Sequence, residues 1–149
     1  MLIALIAALI LIFVVLTIHW LDFTPAKNAE EEARRERKRS KSAAVRGLIA
    51  LLTTELCELA RGKQPSGNTV AFIITQLWQV MDASEKGCPQ PCVESDAEIM
   101  RAGWKPGKSK GLLNLASTIE GLSLCTGNPV YERALTGLAL WLRGEPQPD

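Results

Sequence analysis

The chain opens on residues 1–23, MLIALIAALILIFVVLTIHWLDF, where Leu, Ile, Ala, Val and Phe follow one another with no recurring polar face and no charge before Asp22. About 20 such residues at a rise of 1.5 Å each span about 30 Å, the thickness of a bilayer's hydrocarbon core. The pattern predicts a single transmembrane helix over residues 1–23, with His19 and Trp20 at its end, where amphipathic rings suit the headgroup level. A cleaved signal peptide is the competing reading. It fits less well, because no basic residue precedes the apolar run and the small-x-small stretch Thr24, Pro25, Ala26 carries a central proline.

Residues 24–44 are patterned by charge instead. Thr24 followed by Pro25 reads as an N-cap with proline at the first helical position, and Glu30 with Arg34 and Glu31 with Arg35 fall at i,i+4 in the favourable order. A charged helical connector is predicted. Arg34, Arg35, Arg37, Lys38, Arg39 and Lys41 also form a basic run suited to anionic lipid headgroups. No aromatic residue interrupts it to stack on bases, so nucleic acid is not an expected partner.

From residue 45 the apolar positions recur at helical spacing, with no convincing period of two. Val45, Leu48, Leu52, Leu56 and Leu59 form one stripe, stopped by Arg61 and Gly62. Val70, Ile73, Ile74, Leu77 and Met81 form a second, with Asn68 as its expected cap. Ser95 to Glu98 reads as a capping box opening a short third helix. Leu112, Leu115, Ile119 and Leu122 define a fourth. Tyr131, Leu135, Leu138 and Leu142 define a fifth, begun by Asn128 and Pro129 and ended by Gly144. The fold class expected is therefore all-α: a single N-terminal transmembrane helix, a charged helical stalk, and a small four- or five-helix bundle over 45–144, with 145–149 as a tail. A likeness between residues 46–55 and 110–119 raises two related helical hairpins as a variant of this bundle.

Lys+Arg 17 against Asp+Glu 16 leaves a formal net charge of +1, so charge acts by position and not as a whole-molecule field. The eight Lys and Arg residues between 27 and 46 lie on one side of the apolar run. The positive-inside rule then places the helical domain in the cytoplasm.

Four cysteines complicate that placement. Cys57, Cys88, Cys92 and Cys125 follow the spacing Cys-x30-Cys-x3-Cys-x32-Cys, without the paired knuckles of structural zinc sites. Folding residues 88–125 about Pro106 and Gly107 brings Cys88 to Cys125, with Cys57 and Cys92 as the second pair; the sequence leaves all three connectivities open. Disulfides belong to oxidising compartments, whereas a cytoplasmic domain keeps its thiols reduced.

His19 is the sole histidine and lies in the apolar run, which removes Ser/His and Cys/His catalysis. Glu55, Glu58, Glu94, Asp96, Glu98 and Glu120 show no ligand spacing, and most of them are expected to be solvated. The turn GWKPGKSKG, residues 103–111, lacks phosphate-loop spacing. Its Trp104, flanked by Lys105 and Lys108, is the expected contact for a protein partner. No catalytic residue, metal ligand, cofactor or small-molecule substrate is expected. The function expected is a non-enzymatic single-pass membrane protein that binds membrane lipid and a protein partner, as an accessory subunit of a larger membrane assembly. A disulfide-stapled extracytoplasmic envelope factor, such as a phage or bacterial lysis regulator, and a thiol or metal redox protein are the alternatives.

Overall fold

The computed structural model describes the backbone of residues 2–146 and the side chains of residues 12–17 and 27–146. Five helices carry it: α1 (Leu2–Ala60), α2 (Thr69–Val80), α3 (Asp96–Arg101), α4 (Lys110–Cys125) and α5 (Pro129–Arg143), and no strand occurs among the described residues. The protein is all-α. Among the described residues no helix is long and apolar enough to cross a membrane. The side chains of most of the apolar run expected to do so, His19 and Trp20 included, lie outside the described ones; Ile12, Phe13, Val14, Val15 and Leu16 are described and exposed.

Thr24 and Pro25 do not open a helix. They lie within α1, so the connector is not a separate element. Proline at this point removes one backbone donor without stopping the helical run. The chain divides into two compact units, residues 1–40 and 41–149. In the first, residues 27–40 are exposed throughout, and Arg35 Nη2 meets Glu31 Oε1 at 2.9 Å as the i,i+4 spacing requires.

The second unit is built around the last third of α1. Val45, Ile49, Leu52, Leu56 and Leu59 are buried, alternating steps of four and three that keep one stripe facing inward. Ile49 takes the place expected for Leu48, which is only partly covered. Leu52, Leu56 and Leu59 lose all exposure, a contribution of about 1.5–3 kcal/mol each. Against them pack Val70, Ile73, Ile74, Leu77 and Met81 from α2 and its end, Ile99 from α3, Leu112, Leu115, Ile119 and Leu122 from α4, and Leu135, Leu138 and Leu142 from α5. The helices α4 and α5 form a hairpin closed by Thr126, Gly127 and Asn128, whereas α1 and α2 are joined by the longer segment 61–68.

Local signals end these helices where they should. Ser95 accepts from Glu98 N–H while the Glu98 carboxylate accepts from Ser95 N–H, a complete capping box. Asn128 Oδ1 accepts from Val130 N–H at 2.9 Å with Pro129 at the first turn, and Gly144 closes α5 in the left-handed region at φ 69°. The start of α2 differs from expectation. Asn68 makes no side-chain cap. The carboxylate of Asp96, at the start of α3, instead accepts from Val70 N–H through both oxygens at 3.2 Å.

Asp96 is thus fully buried rather than solvated, an anion set against the positive end of α2 from another element. Burial raises its pKa above the ordinary 3.8, opposed by hydrogen bonds from the backbone of Val70 and Thr69. Glu98 and Glu120 move the other way, held below 4.5 by hydrogen bonds from Ser95 and from Arg143 respectively. The sign follows from linkage. Native Asp96 keeps its proton to higher pH than the unfolded chain does, so its contribution is fully present below pH 3.8 and is lost as pH rises through the raised native value. The depressed glutamates contribute above pH 4.5 and lose that contribution as pH falls. Asp96→Asn, which keeps an acceptor for Val70, is expected to gain stability relative to wild type as pH rises through this window. Asp96→Ala orphans the Val70 donor and costs about 1–3 kcal/mol at neutral pH. Urea unfolding of both variants at a series of pH values checks this; parallel curves for wild type and Asp96→Asn refute the raised pKa.

Candidate functional site

The cysteine loop is the most built feature of the surface. After α2 the chain passes through tight turns from residue 81 to 87, with Cys88 N–H donating to Ala83 O at 2.9 Å and Trp78 Nε1 donating to Cys88 O at 3.3 Å. These two bonds hold Cys88 beside the C-terminal end of α4, where it forms a disulfide with Cys125, Cα to Cα 6.6 Å. Lys86 reinforces the junction, its ammonium donating to Cys125 O at 2.7 Å, a cation at the negative end of α4.

Cys57 and Cys92 are free, which corrects the second pairing expected from the sequence. The physical reason lies in the path of the loop. Pro89, Gln90, Pro91 and Cys92 run along α4 and enclose, with Ser117, Thr118, Gly121 and Leu122, a pocket of about 220 Å³. That path directs Cys92 to α4, whereas Cys57 lies on α1. Cys92 is exposed and Cys57 half-buried.

The other expected contact residues separate. Trp104 is half-buried against the core, and its ring lies 5.5 Å from that of Trp141, tilted at 46°. The turn after it folds Trp104 onto α5 because Gly107 N–H donates to Leu142 O at 3.0 Å. Its role as a freely exposed anchor is therefore not what the fold gives it. Lys105 and Lys108 are exposed. In the basic run, Arg34, Arg37, Lys38 and Arg39 are exposed, Arg35 pairs with Glu31, and Lys41, in the second unit, pairs with Asp82. Lys41 is accordingly committed to its own domain rather than to a lipid surface.

Two features escaped the sequence. Asp96 is one, since its partner Val70 lies 26 residues away. The other is a cleft of about 490 Å³ lined by Thr53 of α1 and by Pro129, Val130, Arg133, Ala134, Gly137 and Leu138 of α5. The single methyl of Ala134 and the bare Gly137 open it, a signal legible only once α1 and α5 are known to be neighbours. Phe72, Leu124 and Val130 point outward, 63%, 75% and 71% exposed. The ion pair of Arg143 with Glu120 ties α5 to α4 through two contacts, 3.1 and 2.5 Å. Among the described residues no group of three or more His, Cys, Asp or Glu could hold a metal ion.

Comparison with family models, curated proteins and solved structures returns no match.

Proposed function

We propose that this chain is a membrane-anchored, non-enzymatic accessory module whose disulfide-closed helical domain works on the oxidising side of the membrane, against a protein partner there. The single observation that carries the reading is the Cys88–Cys125 bond, because disulfides persist in oxidising compartments and are rare in the cytosol. The apolar run of residues 1–23 is the anchor, long enough at about 1.5 Å per residue to span. The basic residues Arg34, Arg35, Arg37, Lys38 and Arg39 lie against anionic headgroups. Tethering raises the local concentration of the domain at that membrane without any new contact.

The basic run favours the opposite placement, with the helical domain in the cytoplasm. Its weight is reduced here by distance. The cluster begins ten residues past Thr24. One experiment separates the two placements. A reporter that folds only in an oxidising compartment, fused to the C-terminus, is expected to be active, and the untagged chain is expected to migrate faster on a gel without reductant than with it. An inactive reporter with no mobility change returns the domain to the cytoplasm. Recovery of the chain free of membrane after cell lysis removes the anchor.

A further inference from the structure

Three cysteines, not two, lie on α4 or at the pocket beside it. Cys88 and Cys125 are bonded, and Cys92 borders the same pocket as Cys88, four residues further along the loop. On α4 the same pocket is lined by Ser117, Thr118, Gly121 and Leu122. Side chains on a helix lean toward its N-terminus, over the preceding turn. Cys125 obeys this rule: its Sγ lies 3.2 Å from the carbonyl oxygen of Gly121, the residue one turn earlier that also lines the pocket. Gly121 adds no side chain to the space, and a Cβ built there meets nothing within 4 Å. The pocket that Cys92 lines and the bonded sulfur of Cys125 thus have Gly121 in common.

We propose that Cys92 is a built-in exchange nucleophile for the Cys88–Cys125 disulfide, so that the domain holds two cross-linked forms in equilibrium. The Cys92 thiolate attacks Cys125 Sγ; the Cys92–Cys125 bond forms, the Cys88–Cys125 bond breaks, and Cys88 departs as a thiolate that takes a proton from solvent. One disulfide and one thiol exist before and after, so no oxidant or reductant enters. Cys92 is exposed and reachable by base, and its loop carries two prolines that hold it in an extended path along α4. Cys88, by contrast, is fixed through Ala83 and Trp78. Exchange therefore changes the loop and leaves the helices in place. In the first form the Pro89–Gln90–Pro91 segment arches over an open pocket. In the second, Cys92 is drawn onto α4, the pocket closes, and the thiol presented to solvent is Cys88. The step rests on the disulfide and not on which side of the membrane holds it.

The test uses the full chain in detergent. It is held in mildly alkaline buffer without added thiol or oxidant, quenched in acid, alkylated with N-ethylmaleimide, digested and sequenced by fragmentation mass spectrometry, which distinguishes Cys88 from Cys92 on their shared peptide. The expected result is alkylation divided between Cys92 and Cys88, with a matching fraction of Cys92–Cys125 cross-link that grows to a plateau. In Cys88→Ser, Cys92–Cys125 is the expected sole cross-link, and in Cys57→Ser the division is unchanged. Alkylation confined to Cys57 and Cys92 in wild type overturns the proposal. So does a Cys88→Ser protein with all three remaining thiols alkylated and an unaltered helical circular dichroism spectrum, or a cross-link between chains through Cys92. Wild type isolated with all four thiols alkylated removes both this device and the disulfide on which the proposed compartment stands; exchange absent from an oxidised protein removes the device alone.

Discussion

Cys125→Ala lowers the stability of the helical domain by about 3–4 kcal/mol, the chain-entropy value for a loop of this length. The bond spans 37 positions of sequence and joins the segment after α2 to the end of α4. It thereby encloses α3, whose six residues are too few to hold themselves as a helix in water. For a domain of about 100 residues the loss corresponds to a fall in Tm of roughly 15–25 °C. Thermal unfolding of wild type with and without reductant gives the same comparison without a substitution. The two differences should agree, and a fall of less than about 1 kcal/mol in both would mean that the bond does not constrain the unfolded chain. Cys88→Ser should lose less than Cys125→Ala, because Cys92 supplies a replacement partner for Cys125 and nothing supplies a replacement for Cys125 itself.

Gly107→Ala costs about 2–4 kcal/mol, combining the strain of a left-handed residue with the displacement of packed backbone. Gly107 sits at φ 73°, and a Cβ built on it would fall 2.4 Å from the carbonyl oxygen of Arg143. That oxygen is main chain and cannot swing away as a flexible side chain would. The same turn is tied to α5 by Gly107 N–H to Leu142 O, and Gly144, also left-handed, faces Pro106 from the other side. Two backbone segments meet here without side chains between them, and the Trp104 and Trp141 rings cover the junction. Gly62→Ala is the control. It shares the positive φ, 88°, with nothing within 4 Å of its Cβ position, so it should lose only about 1–2 kcal/mol. Denaturant unfolding of the pair isolates the clash from the strain. Equal losses would show that the turn after Trp104 yields freely, and Trp fluorescence should then also be unchanged.

The helices of the domain were legible residue by residue. The reciprocal bonds of Ser95 and Glu98, Asn128 with Pro129, and the left-handed Gly144 stand where a reading of the chain puts them. The inward stripes of α2 and α4 also follow the 3.6-residue repeat; in α5 Leu135, Leu138 and Leu142 are buried while Tyr131 is only partly covered, and in α1 the stripe turns by one position, to Ile49. Each of these signals is local, fixed within a turn or two of helix. Thr24 and Pro25 mark the limit of that method. The dipeptide is a good start signal, yet it lies inside α1 because a helix already under way tolerates proline better than a new helix tolerates its absence of nucleation.

The candidate site was legible in part. Cys88 with Cys125 followed from their equal distance to the turn at Pro106 and Gly107, whereas Cys57 with Cys92 did not form because the Pro89–Gln90–Pro91 segment carries Cys92 along α4. Trp104 read as an exposed anchor because its neighbours are turn formers. The bond from Gly107 to Leu142 that lays it against α5 belongs to residues 35 positions apart and leaves no mark on either stretch alone.

By itself the amino-acid order determined that this chain is helical after residue 45, where those helices begin and end, which faces they bury, and that a long uncharged apolar run precedes them. The tertiary structure decided which partners distant groups find: Asp96 at the start of α2, Trp104 on Trp141, and Cys92 as a free thiol at a pocket on α4. The division has one physical cause. Helix formation is governed by bonds and side-chain neighbours three or four residues apart, while the burial of a carboxylate, an indole or a thiol is settled by whichever surface the folded chain brings against it.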